Sequence, residues 1–179
     1  MSTQQTQFSD GIPMKGTLCI VIRNAKTGRR IRRIEIRNKI TFLAADMLVE
    51  LLAQRAIDAT PSYNSMFSMR MGTSNTPASR SDTNLGSFEI GKELTDVNKI
   101  TGVPGELEFT ATLESGDANG ITLQEAGLFT RGSAATPTPS DAPGTGVGDV
   151  RMFSHQIHPA IPKTSALVLE YSWRIAFTA

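Results

Sequence analysis

Two histidines and one carboxylate in apolar surroundings are the residues whose types and spacing could do chemistry. His155 and His158 lie three residues apart in RMFSHQIH, and Glu125 interrupts the apolar run ITLQEAGLF. Imidazole and carboxylate groups can act as general acids and bases or as metal ligands. Positions three apart in an extended chain point to opposite faces, so the two histidines cannot bind one metal ion from regular strand geometry. With one cysteine and no third histidine, a zinc site lacks ligands, and we expect no metal and no other cofactor.

The motifs of the common enzyme classes do not occur in the sequence. We find no nucleophile elbow and no Walker loop, and the glycines of 144–148 lie in Pro-rich coil. The segment DANG at 117–120 lacks the late glutamate of a calcium loop and is better read as a turn. We therefore predict a non-enzymatic protein. We expect the Glu125 side chain to be partly buried and to have a structural role. Its carboxylate would accept hydrogen bonds from backbone N–H groups or from an arginine.

A cluster of cations offers a possible binding surface. It is centred on four arginines of a predicted β-hairpin: Arg29, Arg30, Arg32 and Arg33. Such a run can be a solvated face, a site for an acidic protein surface or a site for nucleic acid. Nucleic-acid sites usually include aromatic side chains for stacking, and none lies between Phe8 and Phe42, which argues against nucleic acid.

Three glutamates of one predicted strand could be the acidic counterpart of this hairpin. Glu106, Glu108 and Glu114 alternate with apolar residues and are expected to face outward. Residues 1–60 carry ten Lys/Arg and five Asp/Glu, whereas residues 61–179 carry eight and twelve, so the two parts have charges of +5 and −4. Our hypothesis is that the arginines of one copy dock on the glutamates of another.

Period-2 alternation defines the elements that must position these residues. The longest example is 166–178, where alternate residues from Leu167 to Phe177 share an apolar face. Residues 17–37 predict a hairpin that turns at 24–28, and Ile31 is out of phase with Ile34, which indicates a β-bulge. We also predict that 106–114 pairs with 121–130 through the loop at 116–120.

The sequence predicts one mainly β domain, either an antiparallel β-sandwich or a β-rich α+β fold. One helix at about 41–55, with Thr41 as its N-cap, is expected to pack on the sheet. Residues 1–13 are read as a flexible or partner-ordered arm, and 14–179 as the single domain. Within that domain, 132–149 is an extended Pro/Gly-rich loop.

Composition limits the remaining classes. No apolar run approaches the ~20 residues that a membrane helix needs, and the polar N-terminus does not resemble a signal peptide, so we expect cytoplasmic synthesis. The single cysteine, Cys19, lies in an apolar run and is expected to be a small buried hydrophobe.

The order of several short segments resembles that of a family of virion structural proteins of tailed bacteriophages, described as tail-fibre, collar or baseplate-associated proteins. The resemblance covers about 35–178 and rests on NKIT at 38–41, MRMGT at 69–73, SDTNL at 81–85, NGI at 119–121, EAGLF at 125–129, MF at 152–153 and IPKT at 161–164.

The resemblance implies a β-rich, non-enzymatic subunit built into a phage particle as a ring or trimer. Its expected partners are copies of itself and other virion proteins, and its expected location is the virion, in the tail or neck. The alternatives are a capsid decoration protein and a carbohydrate-binding receptor module. The latter requires exposed aromatics such as Tyr171 or Trp173, and burial of both would count against it.

Overall fold

A computed structural model describes residues 14–42, 44, 66–102, 105–130 and 150–177, with side chains at all of these positions except 38, 39, 66 and 67. The predicted arm at 1–13, most of the predicted helix at 41–55 and the predicted loop at 132–149 lie outside the described residues. The described part is almost entirely β-structure. Its strands are β1 (Met14–Asn24), β2 (Arg30–Ile40), β3 (Met66–Gly72), β4 (Phe88–Glu93), β5 (Asp96–Lys99), β6 (Glu106–Leu113), β7 (Thr122–Thr130), β8 (Arg151–Pro162) and β9 (Leu167–Phe177).

The strands form two antiparallel sheets that share β2. Sheet 1 has the order β2-β1-β9-β6-β5, and sheet 2 continues from the end of β2 as β2-β8-β7-β3-β4. Most of β2 pairs with β1, but Lys39 and Ile40 pair with His155 and Ser154 of β8. One apolar cluster contains side chains from both sheets, including Leu18, Trp173, Met71 and Leu128. The predicted mainly β, sandwich-like antiparallel class is therefore confirmed.

Strand β9 follows the predicted alternation. Leu169, Tyr171, Trp173 and Ile175 are buried, while the residues between them lie on the outer face of sheet 1. Strand β1 alternates as well, because Leu18, Ile20 and Ile22 are buried and the residues between them are half-buried. Cys19 lies on the half-buried outer side, so the expectation that it is a buried core residue is wrong.

The β1–β2 hairpin and its bulge are also confirmed. The Asn24 side-chain oxygen accepts hydrogen bonds from the amides of Lys26 and Thr27, both at 3.0 Å, and Gly28 has a positive φ of 67°. Arg32 pairs with Ile22 and Arg30 with Arg23, so Ile31 is the extra residue on β2. Its side chain is 58% exposed, since the bulge removes it from the alternation that buries Ile34.

The predicted pairing of 106–114 with 121–130 is wrong. Strand β6 pairs with β9 and β5 in sheet 1, whereas β7 pairs with β8 and β3 in sheet 2. The loop between them crosses from one sheet to the other, with positive φ at Ala118 and Gly120. Turn-forming residues permit a tight change of direction, but they do not specify whether the chain returns in the same sheet.

Strand β8 is longer than predicted, since it continues past Pro159 to Pro162. Its pairing with β7 shifts between the Leu123–Ile161 pair and the Glu125–Ile157 pair, so extra residues of β8 bulge outward there. Pro159 and Ala160 are exposed at this irregularity. A proline is tolerated there because an irregular position needs no ladder N–H.

Sheet 2 is covered on both faces. Its inner face packs on sheet 1, and its outer face carries a second apolar cluster of Leu85, Phe129, Val150 and Met152, against which Phe88 packs. The guanidinium group of buried Arg70 lies 4.6 Å from the ring centroid of Phe129 and 5.5 Å from that of Phe88. The β3–β4 loop, residues 73–87, supplies Leu85 to this cover, so its position matters to the core.

Trp173 gives a test of the core. Its side chain is fully buried at the centre of sheet 1, so Trp173→Ala should lower the free energy of unfolding by about 3–5 kcal/mol. Chemical denaturation followed by far-UV circular dichroism measures this change. Ile31→Ala, at the exposed bulge, is the matched control and should change stability by about 0.5 kcal/mol or less. Equal losses in the two variants would contradict the assigned core.

Candidate functional site

Glu125 holds the β3–β4 loop against sheet 2. Its side chain is 0% exposed, and one carboxylate oxygen, Oε1, accepts hydrogen bonds from the amides of Ser74 at 3.1 Å and Ser87 at 2.7 Å. The other, Oε2, accepts from the amide of Gly86 at 2.9 Å. The prediction of backbone N–H partners is confirmed, although burial is complete where partial burial was predicted, and a histidine replaces the proposed arginine.

His155 links Glu125 to the middle of the same loop. Its Nε2 lies 3.2 Å from Glu125 Oε2, and its Nδ1 lies 2.7 Å from Asp82 Oδ2. Asp82 Oδ2 also accepts a hydrogen bond of 2.6 Å from the amide of Ser79. We call Glu125, His155 and Asp82 the loop anchor, because together they fix both ends and the middle of the β3–β4 loop.

The loop anchor favours the charged forms of His155 and Glu125. Burial opposes protonation of His155, but hydrogen bonds and charge from Glu125 and Asp82 outweigh it and raise the pKa of the imidazole. Burial likewise opposes ionisation of Glu125. Hydrogen bonds from His155 and from the amides of Ser87, Gly86 and Ser74 outweigh it and lower the pKa of the carboxyl. A protonated His155 donates one proton to each carboxylate, which matches the observed geometry.

This arrangement suits a structural anchor better than acid–base catalysis. Both ring nitrogens of His155 are occupied by carboxylates of the chain, so neither is presented to a substrate. His158 belongs to a different network, since its Nδ1 lies 2.9 Å from the Pro159 carbonyl and its Nε2 3.4 Å from the hydroxyl of Tyr171 in sheet 1. His155 therefore lies on the outer, loop-covered side of sheet 2, and His158 lies on the inner side that faces sheet 1. Within the described ranges, no group of three or more His, Cys, Asp or Glu could hold a metal ion.

Glycines allow the loop to approach the anchor. A Cβ atom at Gly72 would collide with the Ser87 carbonyl oxygen and the Glu125 carboxylate. A Cβ at Gly127 would lie 2.7 Å from the Phe129 ring and 3.1 Å from Leu85. Close backbone approach therefore requires glycine at position 72, whereas at position 127 the absence of a side chain lets Phe129 and Leu85 pack directly on the strand.

The four predicted arginines lie on one hairpin but do not form one flat patch. Arg32 is opposite Ile22 and Arg33 opposite Val21, so they lie on opposite faces of β2. Arg33 forms an ion pair of 2.8 Å with Glu35, while Arg29 and Arg30 are exposed at the turn. The basic surface therefore wraps around the end of the hairpin.

The three glutamates of the predicted acidic surface do not form one free patch. Glu106 and Glu108 lie 3.1 and 3.2 Å from the guanidinium of Arg174 on the neighbouring strand β9. Glu114 follows the opposite end of β6 and is exposed. Two of the three glutamates are thus already paired within the chain, and docking of the arginines on them stays a prediction.

A charged groove of about 490 Å³ lies on the outer face of sheet 1, near the start of β1 and the end of β9. Its charged lining residues are Lys15, Glu35, Arg37, Glu106 and Arg174. Both charge signs occur in it, and Arg174 is paired with Glu106 at 3.1 Å, which is typical of a solvated, ion-paired sheet face.

The sequence pointed to Glu125 but not to its partners. Asp82 lies in a polar loop without periodicity, and the amides of Ser74, Gly86 and Ser87 carry no side-chain signal. The available signal was that a carboxylate and two histidines lie in apolar strand segments, where buried polar groups need partners.

No helix among the described residues is long and apolar enough to span a membrane. Comparisons with protein families, with curated proteins and with solved structures found no match to this chain.

The loop anchor predicts a specific pH dependence. The raised pKa of His155 means that its contribution to stability is complete below the usual value of 6.5 and is lost as the pH rises through the folded-state pKa. The lowered pKa of Glu125 means that its contribution is present above 4.5 and is lost as the pH falls through the folded-state pKa. The stability difference between wild type and His155→Gln should therefore be largest between 4.5 and 6.5 and should shrink at alkaline pH.

Urea denaturation across a pH series measures this difference. His158→Gln is the internal contrast, because burial lowers the pKa of His158 and its contribution is instead lost on acidification below 6.5. Parallel pH profiles for the two variants would contradict the assigned protonation of His155.

Gly72 tests the close approach of the loop. Gly72→Ala places a methyl group against the Ser87 carbonyl and Glu125, so we expect a loss of about 1–3 kcal/mol in the free energy of unfolding. Gly116→Ala is the control, since a Cβ there meets nothing within 4 Å and its φ is not positive. Thermal or chemical unfolding compares the two variants, and a fully stable Gly72→Ala would show that the loop does not lie where we place it.

Proposed function

We propose that this chain is a non-enzymatic structural subunit of a tailed-bacteriophage virion. In this role it joins tail, neck, collar or baseplate components and fibres through contacts with its own copies and with other virion proteins. It is made in the host cytoplasm and resides in the particle, in the tail or neck.

The observation that carries the proposal is that the segments resembling the phage family meet in space. The NKIT segment meets the MF segment, because the Thr41 amide donates to the Phe153 carbonyl at 3.1 Å and the Thr41 hydroxyl to the Met152 carbonyl at 2.8 Å. The NGI segment meets the IPKT segment, because Gly120 donates to the Lys163 carbonyl and Lys163 to the Ile121 carbonyl, both at 2.9 Å.

The remaining three segments meet at the loop anchor. Gly72 of MRMGT pairs with Glu125 of EAGLF in the β3–β7 ladder. In the SDTNL segment, Asp82 forms a hydrogen bond with His155, and Leu85 packs over Gly127. Segments scattered over more than a hundred positions thus form three contacts along β7 and β8. One structural unit contains all seven segments, as the resemblance to a single family of subunits requires.

The carbohydrate-binding alternative is weakened by burial. Tyr171 and Trp173 are both 0% exposed, so neither can stack on a sugar ring from solution. The decoration-protein alternative shares the assembly role and differs only in location, so imaging must distinguish it.

Purified particles of the phage that encodes the chain provide the test. We expect mass spectrometry to find the protein in the particles at a fixed stoichiometry, and immunogold labelling to place it on the tail or neck. Label on the head would favour a decoration protein. A chain present in the infected-cell lysate but absent from washed particles would overturn the proposal, and a known tail protein detected in the same sample is the positive control.

A further inference from the structure

We propose that the hairpin tip of one copy docks on the β4–β5 corner of the next copy, giving head-to-tail self-association. The basic tip consists of Lys26, Arg29, Arg30, Ile31 and Arg32. The acidic corner consists of Glu93, Asp96 and Val97. This inference deepens the proposed assembly role and rests on it for its biological setting.

The basic tip carries cations that the described part of the chain does not neutralise. Arg23 lies 3.8 Å from Glu170, and Arg33 pairs with Glu35 at 2.8 Å. The four cations of the basic tip are all exposed, and no ion pair to another described residue involves them. The bulge places the 58% exposed side chain of Ile31 among these cations, so an apolar contact is surrounded by positive charge.

The acidic corner has the complementary composition. The chain passes there from the edge of sheet 2 to the edge of sheet 1, and Glu93 and Asp96 lie on either side of this crossing. Both are exposed, and within the described ranges neither forms an ion pair, whereas nearby Lys92 is paired with Asp117 at 2.9 Å. Val97 is 52% exposed beside Asp96, and the one cation of β5 is Lys99 at its far end.

The two surfaces cannot meet within one molecule. Apart from its last residues, β2 is the outermost strand at one edge of sheet 1, and β5 is the outermost strand at the other edge. Complementary patches on opposite edges produce a heterologous contact, which repeats from copy to copy and closes into a ring or continues as a filament. Opposite charges steer the encounter, and covering Ile31 and Val97 adds apolar burial.

The acidic corner is a better partner for the basic tip than the glutamates of β6 are. Glu106 and Glu108 are held by Arg174, so an incoming arginine would have to displace an existing ion pair. Glu93 and Asp96 hold no ion pair within the described ranges that an arginine would displace. Asp96 accepts hydrogen bonds only from neutral groups among the described residues, the Val97 amide at 2.9 Å and the Asn98 side chain at 2.6 Å. The charge complementarity that the sequence suggested is therefore retained, but its acidic side moves to the edge of the sheet.

Charge exchange between two variants tests the proposal. The tip variant is Arg30→Glu with Arg32→Glu, and the corner variant is Glu93→Lys with Asp96→Lys. Sedimentation velocity and light scattering at low ionic strength, where the Debye length is about 30 Å at 0.01 M, measure self-association. We expect the wild type to associate and each variant alone to associate at least about tenfold more weakly, because like charges then face each other.

Mixing the two variants should restore association. The acidic tip of one variant then meets the basic corner of the other, and the unchanged tip and corner also remain complementary. The matched control for the tip variant is Lys15→Glu with Arg37→Glu, which makes the same net-charge change as the tip variant at exposed positions in the distant groove and should associate like the wild type. Circular dichroism confirms folding of each variant, and the single changes Arg32→Glu and Asp96→Lys replace any double variant that does not fold.

Three results would overturn the inference: a monomeric wild type at low ionic strength, a tip or corner variant that associates like the wild type, or a mixture that fails to regain association. Loss of association in the control would also overturn it, since net charge and not the docking pair would then be responsible. A monomeric chain found in virions would refute this contact and leave the proposed function intact. An associating chain that is absent from virions would refute the proposed function and leave this contact intact.

Discussion

The buried carboxylate of Glu125 is the interaction on which much of the structure depends. An ionised carboxylate away from water is costly unless hydrogen bonds replace its hydration. Three loop amides and one imidazole supply them here, so the carboxylate determines the path of the β3–β4 loop. That loop in turn places Leu85 over Phe129 and closes the second apolar cluster. Removing the charge would leave donors of several segments unsatisfied together.

The local sequence pattern was sufficient to predict strands, their buried faces and turns. The alternation around Trp173 identified β9, and the phase break at Ile31 identified the bulge, because both properties depend on neighbours within a few residues. Pairing of β6 with β9 depends instead on residues about sixty positions apart. The loop at 116–120 looked like a hairpin turn, and no local property distinguishes a turn within a sheet from a crossing between sheets.

The site was predicted in part for the same reason. The apolar run around Glu125 indicated burial, and burial required partners. Its alternation did not indicate the face, because the β7–β8 register shifts between Leu123 and Glu125. The identity of these partners could not be predicted from the sequence, because backbone amides have no sequence signature and Asp82 is 73 residues from His155. The charged residues show the converse limit: Glu106 and Glu108 looked available as outward-facing residues, but Arg174 lies across from them on a strand that the sequence did not place beside β6.

The strand β2 belongs to both sheets, and this has a mechanical meaning. Backbone hydrogen bonds in an antiparallel ladder run across the strands, so a pull along β2 loads its bonds to β1 together and not one after another. Strand β1 is itself held by eleven paired residues of β9, and the end of β2 is tied to β8. A force applied at the hairpin would therefore be shared by both layers of the sandwich.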